Sequence, residues 1–276
     1  MTTFRKMQPA DRASLVQLWT DTFGQSTEYA ERMLCRLPAA GVFVAEEAGE
    51  PVAMLAAVPV NQEEHRGVWL YGLAVQKPLR GKGIGTGLLD YTLEQIKLQN
   101  YVFAVIKPAQ EITFSLFEKH GFATTFYSRK LERVIHRNIW SQAEFDSCPA
   151  KKLCELRKMY APSAVLYDST AMIEVLTELY SRGITVVSSD EGYGLYYRNG
   201  ETLAFIELMA DGDRAAESLM EAAREKEVVV ENAVISIGAK QNLFLGEGKR
   251  VPYGMIHFFD TPFDLTDSDL SLLIGQ

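Results

Sequence analysis

Apolar and polar positions along the first half of the chain switch repeatedly between a period of two and a period near four. Thr3 to Lys6 predicts a short strand. From Asp11 to Phe23, Leu15, Leu18, Trp19 and Phe23 share one helical face. Ser26 can cap a second helix with Tyr29, Met33 and Leu37 as its buried stripe, closed by Gly41. Val42 to Glu46 and Val52 to Val60 predict a hairpin around Ala48-Gly49-Glu50, and Pro59 predicts a bent or edge end. After a polar stretch from Asn61 to Gly67, Val68 to Val75 predicts an apolar strand. A glycine-rich turn leads into a long helix from Gly83 to about Gln99. Val102 to Ile106 predicts a buried strand, Glu111 to His120 a helix stopped by Gly121, and Phe122 to Leu131 a strand.

Residues 132 to 161 mix charge, proline and two cysteines, and a domain boundary is placed there, giving units of 1–135 and 136–276. The pattern then restarts. Asp168 or Ser169 caps a helix running to Arg182, and Ile184 to Ser188 predicts a strand. Asn199-Gly200 predicts a hairpin between Gly194 to Arg198 and Glu201 to Met209. Asp213 to Glu227 predicts a helix, and Asn232 to Ile237 and Tyr253 to Phe259 two strands. The second half thus repeats the strand–strand–strand–helix–strand succession of the first. The expected class is α/β (α+β): a mixed, twisted sheet flanked by helices. Tyr193, Tyr196 and Tyr197 alternate along a predicted strand, so one face of them at most is expected to be buried.

Composition narrows the function. The 276 residues carry a net charge of −8, the reverse of the basic surface that phosphate neutralisation demands, so nucleic acid is not an expected partner. An acidic surface favours a cationic or amine-bearing substrate. No apolar run is long enough to span a bilayer and the N-terminus lacks the apolar core of a signal peptide, so the expectation is cytoplasmic, with no membrane partner. Cys35, Cys148 and Cys154 cannot build a disulfide framework, the four histidines are scattered, and no metal site is expected. Glu63, Glu64 and His65 read first as a solvated loop and second as a substrate-binding cluster.

The chemistry concentrates in the strand–turn–helix from Tyr71 to Leu89. Glycines at 81, 83, 85 and 87 let successive backbone N–H groups converge, and the helix start adds partial positive charge. Lys77, Arg80 and Lys82 add full charges, and the whole predicts a pyrophosphate cradle. A Walker A loop needs Lys-Ser or Lys-Thr after its last glycine, and here Leu88 follows Gly87. A dinucleotide fingerprint needs a third glycine where Thr86 or Leu88 stands. The remaining match is Arg80, Gly83 and Gly85, which resembles the Arg/Gln-x-x-Gly-x-Gly/Ala motif of the GNAT superfamily. Leu73-Ala74-Val75 upstream and Phe117 to Phe122 downstream resemble that family's fourth strand and later helix-to-strand junction. The resemblance is clear over 1–131.

This resemblance implies a GNAT fold and an N-acetyltransferase that uses acetyl-coenzyme A as cosubstrate and a small-molecule amine or peptide amino group as acceptor. Homodimers are known in such enzymes. It implies cofactor contacts at Leu73, Ala74, Val75, Arg80, Gly81, Lys82, Gly83, Ile84, Gly85 and Thr86, with Phe114 and Phe117 able to face the cofactor or the core. The Leu73 amide is the implied oxyanion donor. Many members have a tyrosine acid where this chain has Phe117, so Tyr71, His120 and Tyr127 stand as alternative proton donors, and a coenzyme-binding protein without turnover is the second expectation. His120 also reads as a helix C-terminal cap. The second half resembles a degenerate repeat, because Asp211 and Asp213 stand where a pyrophosphate would sit. The first half shows one strand beyond Gly121 where the family has two, so a strand of the second half is expected to complete its sheet.

Overall fold

A computed structural model describes residues 1–136, 142–145, 147–227 and 229–274. Its first half runs β1 (Thr3–Lys6), α1 (Arg12–Phe23), α2 (Thr27–Cys35), β2 (Gly41–Glu47), β3 (Glu50–Gln62), β4 (His65–Val75), α3 (Ile84–Leu98), β5 (Phe103–Ile106), α4 (Glu111–Glu118) and β6 (Ala123–Val134). The second half runs α5 (Ala150–Tyr160), β7 (Leu166–Tyr167), α6 (Ser169–Ser181), β8 (Thr185–Ser189), β9 (Gly192–Asn199), β10 (Thr202–Ala210), α7 (Asp213–Lys226), β11 (Asn232–Gly238) and β12 (Lys249–Phe258). The predicted caps hold: Ser26 accepts the Tyr29 N–H at 3.2 Å and Asp168 the Ala171 N–H at 2.7 Å, each worth about 1 kcal/mol.

Two expectations are corrected, and one helix is added that the sequence pattern did not predict. Helix α5 falls in the stretch read as a boundary; its buried face is narrow, with Leu153 and Arg157 inside. The polar stretch 61–67 is not a loop but the tip of the β3–β4 hairpin, turned by Glu63 at φ 51°. Tyr193 and Tyr196 are both fully buried, on opposite faces of β9, because helices or chain cover both sides of that strand. Pro59 sits as expected where β3 lacks a second partner: β2 reaches only Ala57, and β7 begins at Val60. A missing N–H is harmless there.

All strands join one sheet in the order β1-β2-β3-β4-β5-β12-β6-β11-β10-β9-β8, with β7 on β3. The two long strands at the middle are exchanged. β12 of the second half lies beside β5, β6 of the first lies beside β11, and the two pair antiparallel with each other. On one face a single core runs across both halves, containing Trp19 and Met33 of α1–α2 and Val175 and Leu179 of α6. Two further clusters lie under α3–α4 and under α7. The second half therefore supplies a strand to the first half's sheet and helices to its core.

Candidate active site

The site is built on an irregularity in β4. Its ladder with β3 slips between Met54 and Ala56, so Gly72 and Leu73 face one residue of β3. This is a β-bulge. Gly72 adopts φ 70°, and a Cβ there would lie 2.5 Å from the Trp19 ring. Only glycine satisfies both the left-handed backbone and the close ring. The bulge keeps Tyr71 on the face of Trp19 and turns Leu73 toward the other core.

Just before the bulge, β4 loses its other neighbour. The parallel ladder with β5 runs from Gly67↔Phe103 to Leu70↔Ile106 and stops, while β4 continues to Val75. The Gln76 N–H donates to Val52 O on the β3 side at 2.9 Å. By strand alternation the main-chain groups of Val75 and Leu73 then point the other way, into the wedge between β4 and β5. The Val75 carbonyl there accepts Arg80 Nε at 2.9 Å. Ala74 is buried against the shared core.

The wedge leads to the start of α3. Gly81 and Gly83 have φ 77° and 81°, and a Cβ on Gly81 would meet nothing within 4 Å. Gly87 is the first amide to bond back into the helix, to Gly83 O at 2.9 Å. The N–H groups of Ile84, Gly85 and Thr86 are thus the orphan donors of a helix start, and no side chain caps them. Thr86 Oγ1 turns back to Gly83 O. Arg80, Gly81, Lys82 and Gly83 are exposed. Converging amides, left-handed glycines and two cations fit an anionic diphosphate. Gly85 packs on Val75, 3.2 Å from a virtual Cβ, and so fixes how close α3 approaches β4.

On the opposite side of the wedge an aromatic wall gathers residues from both halves. Tyr71 stacks near Trp69 at 4.2 Å and meets the Trp19 edge at 5.4 Å. Its hydroxyl shares a 2.7 Å hydrogen bond with that of Tyr29, and burial raises its pKa far above the phenolic range. Tyr167 of β7 lies edge-on to Trp69 at 5.9 Å. Arg182, the C-cap of α6, sits 4.7 Å over the Tyr29 ring, and Glu178 is bonded by both Arg182 and Arg32 of α2.

The other expected residues are distributed as follows. Phe117 is buried edge-to-face with Phe122 at 5.9 Å, and Phe114 packs partly exposed on the same cluster under α3. His120 is tied to Asp90 of α3 at 2.6 Å, so it joins α4 to α3, on the sheet face opposite Tyr71. Tyr127 stacks under Arg250 at 3.9 Å. Glu63 accepts the Ser163 hydroxyl at 3.0 Å, and His65 stacks on Phe263 at 3.8 Å. One residue escaped the sequence reading: Lys107, the first residue past β5. Its Nζ lies 4.6 Å over the Tyr253 ring of β12. Burial, with Lys130 adding repulsion, pulls its pKa down to about 8. The available signal was a lysine directly after the apolar run Phe103–Ile106.

Residues 12–122 match the model of the acetyltransferase (GNAT) family. This stretch is similar to that family. The L-2,4-diaminobutyric acid acetyltransferase of Marinococcus halophilus is 32% identical over 113 residues, which are 40% of this chain and 63% of that relative. The chain thus spans somewhat under two thirds of the curated relative it matches. Among solved structures, a conserved protein from Enterococcus faecalis superposes with a TM-score of 0.75 at 15% identity, covering 94% of this chain and 73% of its own. A tandem GNAT protein from the clavulanic acid biosynthesis pathway gives 0.60 at 13% identity, covering 96% and 100%. These two show the fold, including its duplication.

The strand and helix arrangement of the first half recurs in the second with different residues at the corresponding place. The parallel β10–β11 ladder also stops, at Phe205↔Ile235, and β10 also bulges immediately after, between Phe205 and Glu207. Where the first half has Gly72 at its bulge, the second has Glu207, buried and paired with Arg157 at 3.1 Å. The chain's own tail crosses here: Ser271 Oγ donates to Glu207 at 2.8 Å and Asp269 accepts the Lys240 N–H after β11. A Cβ on Gly238 would lie 2.1 Å from Asp269. The ion pair and the C-terminal segment thus stand at this strand end, beside a cavity lined by Ala210, Asp211, Gly212 and Lys240.

Proposed function

We propose that this protein is an acyltransferase that moves the acetyl group of acetyl-coenzyme A to the primary amine of a small molecule. The reading is carried by one juxtaposition: the bulged, unpaired end of β4 running into the orphan amides of α3. A pantetheine arm can pair with the Leu73 and Val75 main chain as an added strand while Gly81 to Thr86 hold the pyrophosphate. Pairing to Val75 O requires Arg80 to release it, which frees a guanidinium for phosphate. The Leu73 N–H, aimed into the wedge, is the donor for the developing oxyanion. Tyr71, half-buried, faces the acceptor side and positions the amine, braced from behind by the buried Tyr29 and Trp19. The diaminobutyrate substrate in the name of the Marinococcus relative, together with the net charge of −8, favours a cationic amino acid or diamine as acceptor.

A second reading is a coenzyme-binding protein without turnover, favoured by Phe117, which offers no proton. Thiol release from acetyl-coenzyme A over a panel of amines, diaminobutyrate included, separates the two. Release with at least one amine is expected, and binding without release for every acceptor selects the second reading. Gly83→Glu, which puts a carboxylate and a strained φ into the cradle, is expected to weaken coenzyme A binding roughly 100-fold or more by calorimetry. Unchanged affinity would remove the placement of the pyrophosphate.

A further inference from the structure

The acid position conferred by a tyrosine elsewhere is held here by Phe117, buried against Phe122, so the departing sulfur needs a donor from another element. The β4–β5 wedge offers one. Phe103 and Val105 of β5 face the core shared by both halves, and by strand alternation Lys107 faces the same way. It stands one residue past Ile106, the last partner of Leu70, and so opposite Tyr71 where the two strands separate. Its ammonium is held over the Tyr253 ring at 4.6 Å, a contact that keeps a half-buried cation in place. The charged and titratable groups that face it are Lys130 on β6 and Tyr253 on β12; Tyr71 stands on the neighbouring strand β4, with its hydroxyl bonded to that of Tyr29.

We propose that Lys107 is the acid that protonates the sulfur of coenzyme A as the acyl group leaves, an inference that rests on the acyl-transfer reading above. The amine lone pair forms the new C–N bond at the thioester carbonyl. The C–S bond breaks with its electron pair going to sulfur. One N–H proton of Lys107 passes to that sulfur and yields the free thiol. The nitrogen of the new amide gives one proton to water, and Lys107 regains one from water, so amine and thioester become amide and thiol with no net proton change. The match in acidity supports this role. A thiol ionises near 8.5 and Lys107 near about 8, so the transfer is close to thermoneutral, where general acid catalysis is efficient. An unperturbed lysine at ~10.4 would be a poorer donor.

The test uses the full chain with coenzyme A as probe and needs no acceptor for its first arm. The thiol of bound coenzyme A is titrated by thiolate ultraviolet absorbance in the wild type, Lys107→Met and Lys107→Arg. With an ammonium beside it, the wild-type thiol is expected to ionise about one pH unit lower than in Lys107→Met. Lys107→Arg keeps the charge but cannot give up a proton, so it should preserve the low thiol pKa. In turnover both variants should lose roughly 100-fold in kcat with KM for acetyl-coenzyme A little changed. Equal thiol titration in wild type and Lys107→Met, or wild-type kcat in Lys107→Arg, overturns the inference alone. Absence of coenzyme A binding by the wild type overturns the acyl-transfer reading and this inference with it.

Discussion

Gly72 serves geometry twice, through its φ of 70° and through a missing Cβ 2.5 Å from Trp19. Gly72→Ala must therefore strain the backbone and displace a buried indole. We expect it to lower stability by about 2–4 kcal/mol, read from the urea midpoint; a shift below a few tenths of a kcal/mol would deny the bulge its steric origin. Asp269 offers a pH test at the same scale. Burial pushes its pKa up from 3.8 to about 6, so between those values the folded protein binds more protons than the unfolded chain. Its contribution to stability therefore falls as pH rises through this window and stays low above it. Asp269→Asn keeps an acceptor for the Lys240 N–H and abolishes the ionisation. Relative to the wild type it should gain stability between pH 4 and 6, reaching roughly 3 kcal/mol, in parallel denaturant titrations. The glycines at 81 and 83 were legible from sequence because their role is local. Gly72 was not singled out, because its reason is a tryptophan some fifty positions away.

At the scale of elements, the two halves share one device and diverge in one residue type. Each has a parallel pair that stops after four registered residues, with a bulge immediately following on the longer strand. The first bulge carries glycine, packed on Trp19; Glu207 at the second recruits Arg157, Ser271 and Tyr193 into a buried charged cluster. Glu207→Ala would leave the Arg157 cation buried and unpaired, and we expect a loss of about 3–5 kcal/mol. The double change Arg157→Met with Glu207→Leu should recover most of it. Thermal denaturation of the three proteins decides this, and a mild single variant with a damaging double one would be the opposite result. The repeated element order was readable from periodicity. Helix α5 was not, because its sequence carries a narrow apolar stripe and a buried arginine that reads as surface until its carboxylate partner is known.

At the scale of the molecule, exchange of β6 and β12 makes the halves interdependent. Without β12, the β5 edge would expose apolar residues and unpaired backbone groups. Residues 1–135 expressed alone are therefore expected to aggregate or to unfold without cooperativity, as judged by size-exclusion chromatography and urea titration; a soluble domain with a sharp transition would count against the exchange as a folding requirement. The strand–turn–helix around Arg80, Gly83 and Gly85 was set by the sequence alone, since a helix start with orphan amides and left-handed glycines is specified within a dozen residues. The expected need for a borrowed strand also came from the element count. Only the tertiary structure decided that β12 fills the position next to β5, that Tyr167 and Arg182 complete the wall around Tyr71 and Tyr29, that His120 is engaged by Asp90, and that Lys107 stands at the wedge. Alternation along a strand tells which face a residue takes, but the identity of its neighbour depends on contacts closed over a hundred or more residues, and burial of a lysine is a property of those contacts.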